Sequence, residues 1–468
     1  MPEEKSPAEQ LKESLCRRKQ HACERLTPEE IARGDAFCEG YKAFLNTCKT
    51  EREAAAWLLE QARAQGFVPW EDGKLYAPGT KLYVDNRGKS VILAVLGKQS
   101  LELGVRMAAA HIDSPRLDLK PQPLYDDSGL GLAKTHYYGG IKKYQWAAIP
   151  LALHGVVVKK DGAAVRIAIG DGPDDPQFCV TDLLPHLAKE QMERTLAKGI
   201  AGEELNLVIG CRPLLLEEKN EGAKLAILRM LKEKYDIIEE DLISAELEVV
   251  PAFAARDIGF DRGLIGGYGQ DDRVCAYPAA MALFGCAAPE YTAVAVLTDK
   301  EEIGSCGNTG LGANYLYDFL VGLALGQGAN PRKLLRAAKC LSADVNAALD
   351  PTFPSVMDSH NAALLNHGVV LTKYTGGGGK YSSSDASAEF LAWVRRVLDD
   401  AGVIWQAGEL GKVDEGGGGT VAAELAKLNL DVIDLGVPVL SMHSPFELAA
   451  KTDIHMLRNA CAAFFAAP

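Results

Sequence analysis

Glu301 and Glu302 stand side by side after the apolar run Tyr291-Thr-Ala-Val-Ala-Val-Leu-Thr298, inside the segment Thr298-Asp-Lys-Glu-Glu-Ile-Gly-Ser305. Neighbouring acids at a strand end can divide labour, one holding a metal ion while the other takes a proton from a water that the metal activates. Most Glu-Glu pairs are solvated surface, so this pair carries weight only in company. Four further apolar stretches end in residues of metal-ligand type: Gly104–Pro115 with His111 and Asp113, Gly266–Arg273 with Asp271 and Asp272, Ala338–Asn346 with Asp344, and Pro438–Glu447 with His443. The i, i+2 spacing of His111 and Asp113 lets the carboxylate hold the imidazole's second nitrogen and select its tautomer. A single histidine in an apolar segment is ordinarily a hydrogen-bonded core residue, and a single aspartate after a strand is ordinarily a cap. Five in this order are hard to sustain as independent accidents.

In open α/β sheets, sites form beyond the carboxyl ends of the strands, so these groups can meet in one crevice. The elements that must position them are legible in part. Thr27-Pro-Glu-Glu30 reads as a capping box with proline at the first helical position, and Thr50 with Glu53 opens a second helix that stops near Gly66. Strands are expected at 81–84 and 90–96, then one ending at His111. Val156–Ile167 reads as a hairpin about Asp161-Gly162. From Asp271 onward strands alternate with helices such as 384–400, where Phe390, Leu391, Val394 and Val397 have helical spacing. The expected fold class is α/β, a mixed, largely parallel sheet with helices on both faces, plus an inserted β-rich domain. No candidate ligand lies between 114 and 251. The expected division is therefore a discontinuous catalytic domain, 1–113 and 252–468, interrupted by the insertion 114–251.

The order and wording of these segments resemble the aspartyl aminopeptidase family of cocatalytic di-zinc exopeptidases. The likeness runs from about Tyr76 to the C-terminus and includes Tyr138-Gly-Gly-Ile-Lys-Lys-Tyr-Gln-Trp146, Lys412-Val-Asp-Glu-Gly-Gly-Gly-Gly-Thr420 and Ser444-Pro-Phe-Glu447. It implies one metal on His111, Asp271 and Asp344 and a second on Asp271, Glu302 and His443, with Asp271 bridging. Glu301 is implied as general base and Asp113 as its catalytic companion. The ligand types suit zinc and are compatible with manganese or cobalt. A cis peptide at Asp271-Asp272 is also implied, as are peptide substrates with N-terminal Asp or Glu, and self-association into a homododecamer built by the inserted domain.

An acidic substrate side chain needs a nearby cation, for which Lys373 and Lys380 are the candidates. Many members carry a histidine where this chain has Glu190, in Pro185-His-Leu-Ala-Lys-Glu190. His186 or His136 is the candidate replacement, and the acidic preference weakens accordingly. A carboxypeptidase or deacylase on the same scaffold, and an inactive assembly or binding protein, are the competing readings.

Composition narrows the remaining classes. At 468 residues the chain suits two or three domains of roughly 150 residues. A net charge of −13 without a basic stripe disfavours a nucleic-acid partner. No long apolar run or secretory signal is evident, so no membrane partner is expected. Eleven scattered cysteines without a C-x-x-C pair fit reduced cytoplasmic thiols. Cys306 has no partner histidine motif, and the glycine runs 376–379 and 416–419 lack phosphate-loop spacing.

Overall fold

The computed structural model describes residues 6–214 and 222–468. The first five residues of the polar start, and 215–221 of the expected insertion, lie outside the described residues. Helix Pro28–Thr47 opens as its capping box predicts: Thr27 Oγ1 accepts from the Glu30 N–H at 3.2 Å, and the Glu30 carboxylate accepts from the Thr27 N–H at 2.8 Å. Helix Glu51–Ala64 opens in the same way on Thr50 and Glu53.

A nine-stranded mixed sheet forms the centre. Its four middle strands, Ala293–Thr298, Arg106–His111, Lys339–Ser342 and Asp431–Gly436, run parallel. Thr298 is level with His111, and Ser342 with Ala109, so these strands end together and aim their following loops at one place. Alternation of side chains assigns Ala108 and Ala110 to one face of Arg106–His111, under the helices Gln270–Phe284 and Lys451–Ala466. Met107 and Ala109 face the other way, under Tyr315–Gly326 and Pro331–Ala337. Both faces are thus covered, which is why the strand reads as an unbroken apolar run.

The strands from Arg116–Asp127 to Ala245–Pro251 build a separate, wholly antiparallel seven-stranded sheet. It contains the hairpin Leu151–Val158 and Ala164–Ile169, whose reversal places Gly162 at φ +87. A third sheet of five strands holds Leu264–Gly267 and Pro438–Leu440.

That third sheet departs from expectation. The apolar runs before Asp271 and His443 do not join the large sheet but pair within the small one. A short apolar run shows that it is buried without showing which neighbour it pairs with. The helix expected at 384–400 begins at Ala388, because the Ser387 side chain accepts from the Phe390 N–H and caps it there. Its fully buried face is Phe390, Val394 and Leu398, and Leu391 and Val397 lie at its edge.

Candidate metal centre

The loops after the parallel strands and the small sheet converge on two overlapping groups. His111, Asp271 and Asp344 form one and Asp271, Glu302 and His443 the other, each with its potential ligand atoms within 4.8 Å of one another. His111 Nε2 is 3.1 Å from Asp271 Oδ1, and His443 Nε2 is 3.1 Å from Asp271 Oδ2. Asp344 Oδ1 lies 4.0 Å from His111 Nε2, and Glu302 Oε2 lies 3.5 Å from His443 Nε2.

Backbone geometry explains how each side chain arrives. Asp271 follows a strand that ends at Gly267, and its peptide to Asp272 is cis, as the resemblance implies. Glu301 and Glu302 sit on a single 3₁₀ turn entered through Lys300 at φ +66 and left through Gly304 at φ +84. Lys300 is tied to Asp299 and Thr309 at 2.9 and 2.7 Å, which holds that loop. Asp344 needs Gly436 beside it: a Cβ there would lie 1.6 Å from the Asp344 carbonyl oxygen.

Both imidazoles have their Nδ1 against a backbone carbonyl, His111 on Asp113 at 3.0 Å and His443 on Gly140 at 2.7 Å. An Nδ1–H that donates there aims Nε2 at the acids, where it donates to Asp271 while the ring is protonated and offers a lone pair to a cation once that proton leaves. The Asp113 carboxylate, expected to hold His111, is 3.3 Å from Nδ1 and has other work. It accepts the backbone N–H groups of Glu301 and Glu302, each at 3.2 Å, and the Tyr138 hydroxyl at 2.8 Å.

Electrostatics set the acids apart. Burial opposes ionisation of Asp271, but hydrogen bonds from His111 and His443 win and hold it below the ordinary carboxylate range. Burial pushes Glu301 up to about 7, against the pull of His111, and pushes Glu302 and Asp344 well above their usual values. Glu302 Oε1 is buried without a hydrogen-bond partner among the described residues. Crowded buried acids with an unpartnered oxygen are a donor set suited to divalent cations, which would stabilise the ionised forms.

In the sequence Glu447 stands out only as the end of Ser444-Pro-Phe-Glu447. Its carboxylate accepts the His443 N–H at 2.8 Å and the Asp271 N–H at 3.2 Å, so it fixes two members of the cluster. The available signal was its position four residues after His443. His443 also borders a cavity of about 680 Å³ lined by Lys142, Asp350, Phe353, Met357 and Met442 among others.

The remaining sequence candidates are placed elsewhere. Lys373 and Lys380 both pair with Asp385, and Lys380 lies 3.7 Å from the Tyr374 ring centroid; among the described residues neither bonds the cluster or lines that cavity. Lys142, inside Gly139-Gly-Ile-Lys-Lys143, lines the cavity instead. His186 is exposed in a turn, His136 is exposed with Nδ1 2.9 Å from the Tyr137 carbonyl, and Glu190 pairs with Arg194 at 3.9 Å. Cys306 is exposed, and all eleven cysteines are free. No helix of the described residues is long and apolar enough to cross a membrane.

Comparison with known proteins agrees with this geometry. The family model described as Aminopeptidase I zinc metalloprotease (M18) matches residues 44–465. A probable M18 family aminopeptidase 1 of Clostridium acetobutylicum is 47 % identical over 444 residues, 93 % of this chain and 95 % of the relative. The crystal structure of an M18 family aminopeptidase from Thermotoga maritima superposes with a TM-score of 0.91 at 44 % identity, covering 96 % of this chain and 99 % of that one. The mApe1 dodecamer of S. cerevisiae shares the fold, with a TM-score of 0.74 at 20 % identity over 93 % of this chain and 97 % of that one.

Proposed function

The chain belongs to the M18 family of zinc metalloaminopeptidases, and from that membership we propose that its cluster holds two divalent ions and removes the N-terminal residue from peptides with Glu301 as general base. The observation that carries the two-ion reading is Asp271, whose two oxygens face different histidines at the same 3.1 Å. His111, Asp271 and Asp344 would hold one ion, and Asp271, Glu302 and His443 the other. When bound, the ions supply Lewis acidity toward a water molecule and toward the scissile carbonyl.

Glu301, poised near neutrality, takes the proton of the attacking water and returns it to the departing amine. Asp113 keeps the two glutamates on their turn through their backbone N–H groups. Asp271, Asp344 and Glu302 offset three of the four positive charges of such a pair.

The cavity beside His443 receives the substrate's side chain. Lys142 supports acceptance of Asp and Glu there, while Phe353, Met357 and Met442 support neutral residues as well. The separate antiparallel sheet supports 114–251 as an inserted unit. Self-association, up to a dodecamer, has two supports: the dodecameric relative of the same fold and the exposed Leu183, Leu184, Leu187, Met192 and Leu196 on that unit. Eleven unpaired thiols support a reducing cytoplasmic setting.

A metal-replete preparation assayed on paired free-amine and N-blocked aminoacyl substrates tests the activity, with chelation as control. Cleavage of the free-amine series only, lost on chelation and restored by zinc, cobalt or manganese, is expected. Cleavage of blocked substrates alone would replace this reading by the deacylase one.

A further inference from the structure

The strand Leu130–Tyr138 of the seven-stranded sheet ends against the metal centre, and three consecutive residues at its tip touch three different members of that centre. Tyr138 Oη donates to Asp113 Oδ2 at 2.8 Å. Gly139 packs its bare backbone on Glu302: a Cβ there would meet Glu302 Oε2 at 3.2 Å and Glu302 Cβ at 3.4 Å, with φ at +74. The Gly140 carbonyl oxygen is 2.7 Å from His443 Nδ1.

We propose that Tyr138-Gly139-Gly140 is a positioning strap by which the seven-stranded sheet sets Asp113, Glu302 and His443 together, Tyr138 acting on the Glu301–Glu302 turn through Asp113. The inference rests on the two-ion reading above. Among the described residues, the other groups against the Asp113 carboxylate are the N–H donors of Glu301 and Glu302 and the His111 ring. Without the Tyr138 hydroxyl, Oδ2 keeps only the longer bond from the Glu302 N–H at 3.2 Å, so the carboxylate and the turn it holds are less tightly placed. A shift of an ångström in such a group is costly to turnover although substrate binding is untouched.

The strap is itself clamped. Arg116, level with Tyr138 across the two paired strands, lays its guanidinium 3.9 Å from the Tyr138 ring centroid. Arg116 in turn is held by Asp118 at 2.8 Å, Glu248 at 3.1 Å and, from helix Glu51–Ala64, Glu51 at 3.5 Å. Burial, reinforced by Asp113, pushes the Tyr138 phenol up, so it stays protonated and remains a donor. At the other end of the strap, Gly140 selects the His443 tautomer that turns Nε2 toward Asp271 and Glu302. A carbonyl cannot be mutated away, and the glycine between can be filled.

Two variants separate positioning from mere stability. Tyr138→Phe keeps the ring and its stack on Arg116 and removes only the hydroxyl. It is expected to retain two metals per chain and the wild-type unfolding temperature, to lower kcat by roughly 10-fold, and to leave KM within about twofold. Gly139→Ala, which presses on Glu302, is expected to lower zinc content from two per chain toward one, read by elemental analysis without any assay of activity. Wild-type kcat in Tyr138→Phe together with full metal content in Gly139→Ala would overturn the strap, and so would a rise in KM with kcat unchanged. Fewer than two metals in the replete wild-type protein would instead remove the two-ion reading on which the strap depends.

Discussion

His443 Nε2 lies 3.1 Å from Asp271 Oδ2, on the opposite carboxylate oxygen from the one that faces His111. One acid therefore serves two imidazoles that come from different sheets. The His443 side chain is 36 % exposed and the His111 side chain only 1 %, so of the two histidines the one in the second half of the cluster is the more open to solvent.

Loss of that shared acid should be worse than loss of a terminal one. Asp271→Ala is expected to strip both ions, whereas Asp344→Ala leaves the Glu302–His443 half able to retain its ion. Elemental analysis of the purified variants decides it. Full occupancy in Asp271→Ala would defeat the bridging role.

Glu301 differs from Glu302 in having no place in either ligand group, although its Oε2 is 4.0 Å from His111 Nε2. Glu301→Gln is expected to keep metal content and fold while lowering kcat by roughly 10²-fold or more. Near-normal turnover in a metal-replete sample removes Glu301 from proton transfer.

The cavity wall predicts a mixed preference. Lys142→Ala should lower kcat/KM for peptides beginning with Asp or Glu by about 10-fold, or about 1.4 kcal/mol, and leave Leu-starting peptides near the wild-type value. Measuring Asp-, Glu-, Leu- and Lys-starting peptides in one series checks both protein forms. If Leu exceeds Asp by tenfold or more in the wild type, acidic acceptance must be dropped.

Away from the cluster, His154 of the seven-stranded sheet meets Glu53 of helix Glu51–Ala64 at 2.8 Å and Asp171 at 3.1 Å. Burial disfavours its charge, but the Asp171 carboxylate beside Nε2 and the hydrogen bond with Glu53 outweigh burial and raise it from 6.5 to about 9. A raised folded-state pKa on a base stabilises below the unfolded value and is lost as pH climbs through the folded one. Thermal unfolding should therefore show wild type ahead of His154→Gln near pH 6, with the gap closing by about pH 10. A gap independent of pH would mean that packing, not charge, accounts for it.

Self-association is read directly by light scattering at working concentration. A particle several times the 50.2 kDa chain mass is expected, and Leu187→Glu on the exposed apolar segment should reduce it. A monomer at every concentration rejects the assembly.

The helix starts were legible because capping is local. Thr27 with Glu30 and Thr50 with Glu53 satisfy their own N–H donors within one turn, whatever surrounds them. Glu53 also shows where locality ends: its second oxygen goes to His154, far along the chain, which no capping pattern foretells. The same division applies at the site. Ligand residue types at the ends of apolar runs were visible, and the structure brings His111, Asp271, Glu302, Asp344 and His443 together. That two of those runs leave the large sheet for a small one was not visible, since a buried strand looks the same in either.

By itself the sequence determined the chemistry on offer: which residue types, in which order, at the ends of which apolar runs, and which helices begin where. Only the tertiary structure decided which oxygen faces which imidazole, that Lys373 and Lys380 both pair with Asp385, that Lys142 lines the cavity beside His443, that Glu447 accepts the His443 N–H and that Tyr138 donates to Asp113. The reason is physical. Periodicity and capping are set by neighbours a few residues away, whereas a hydrogen bond between distant segments depends on the packing of everything between them.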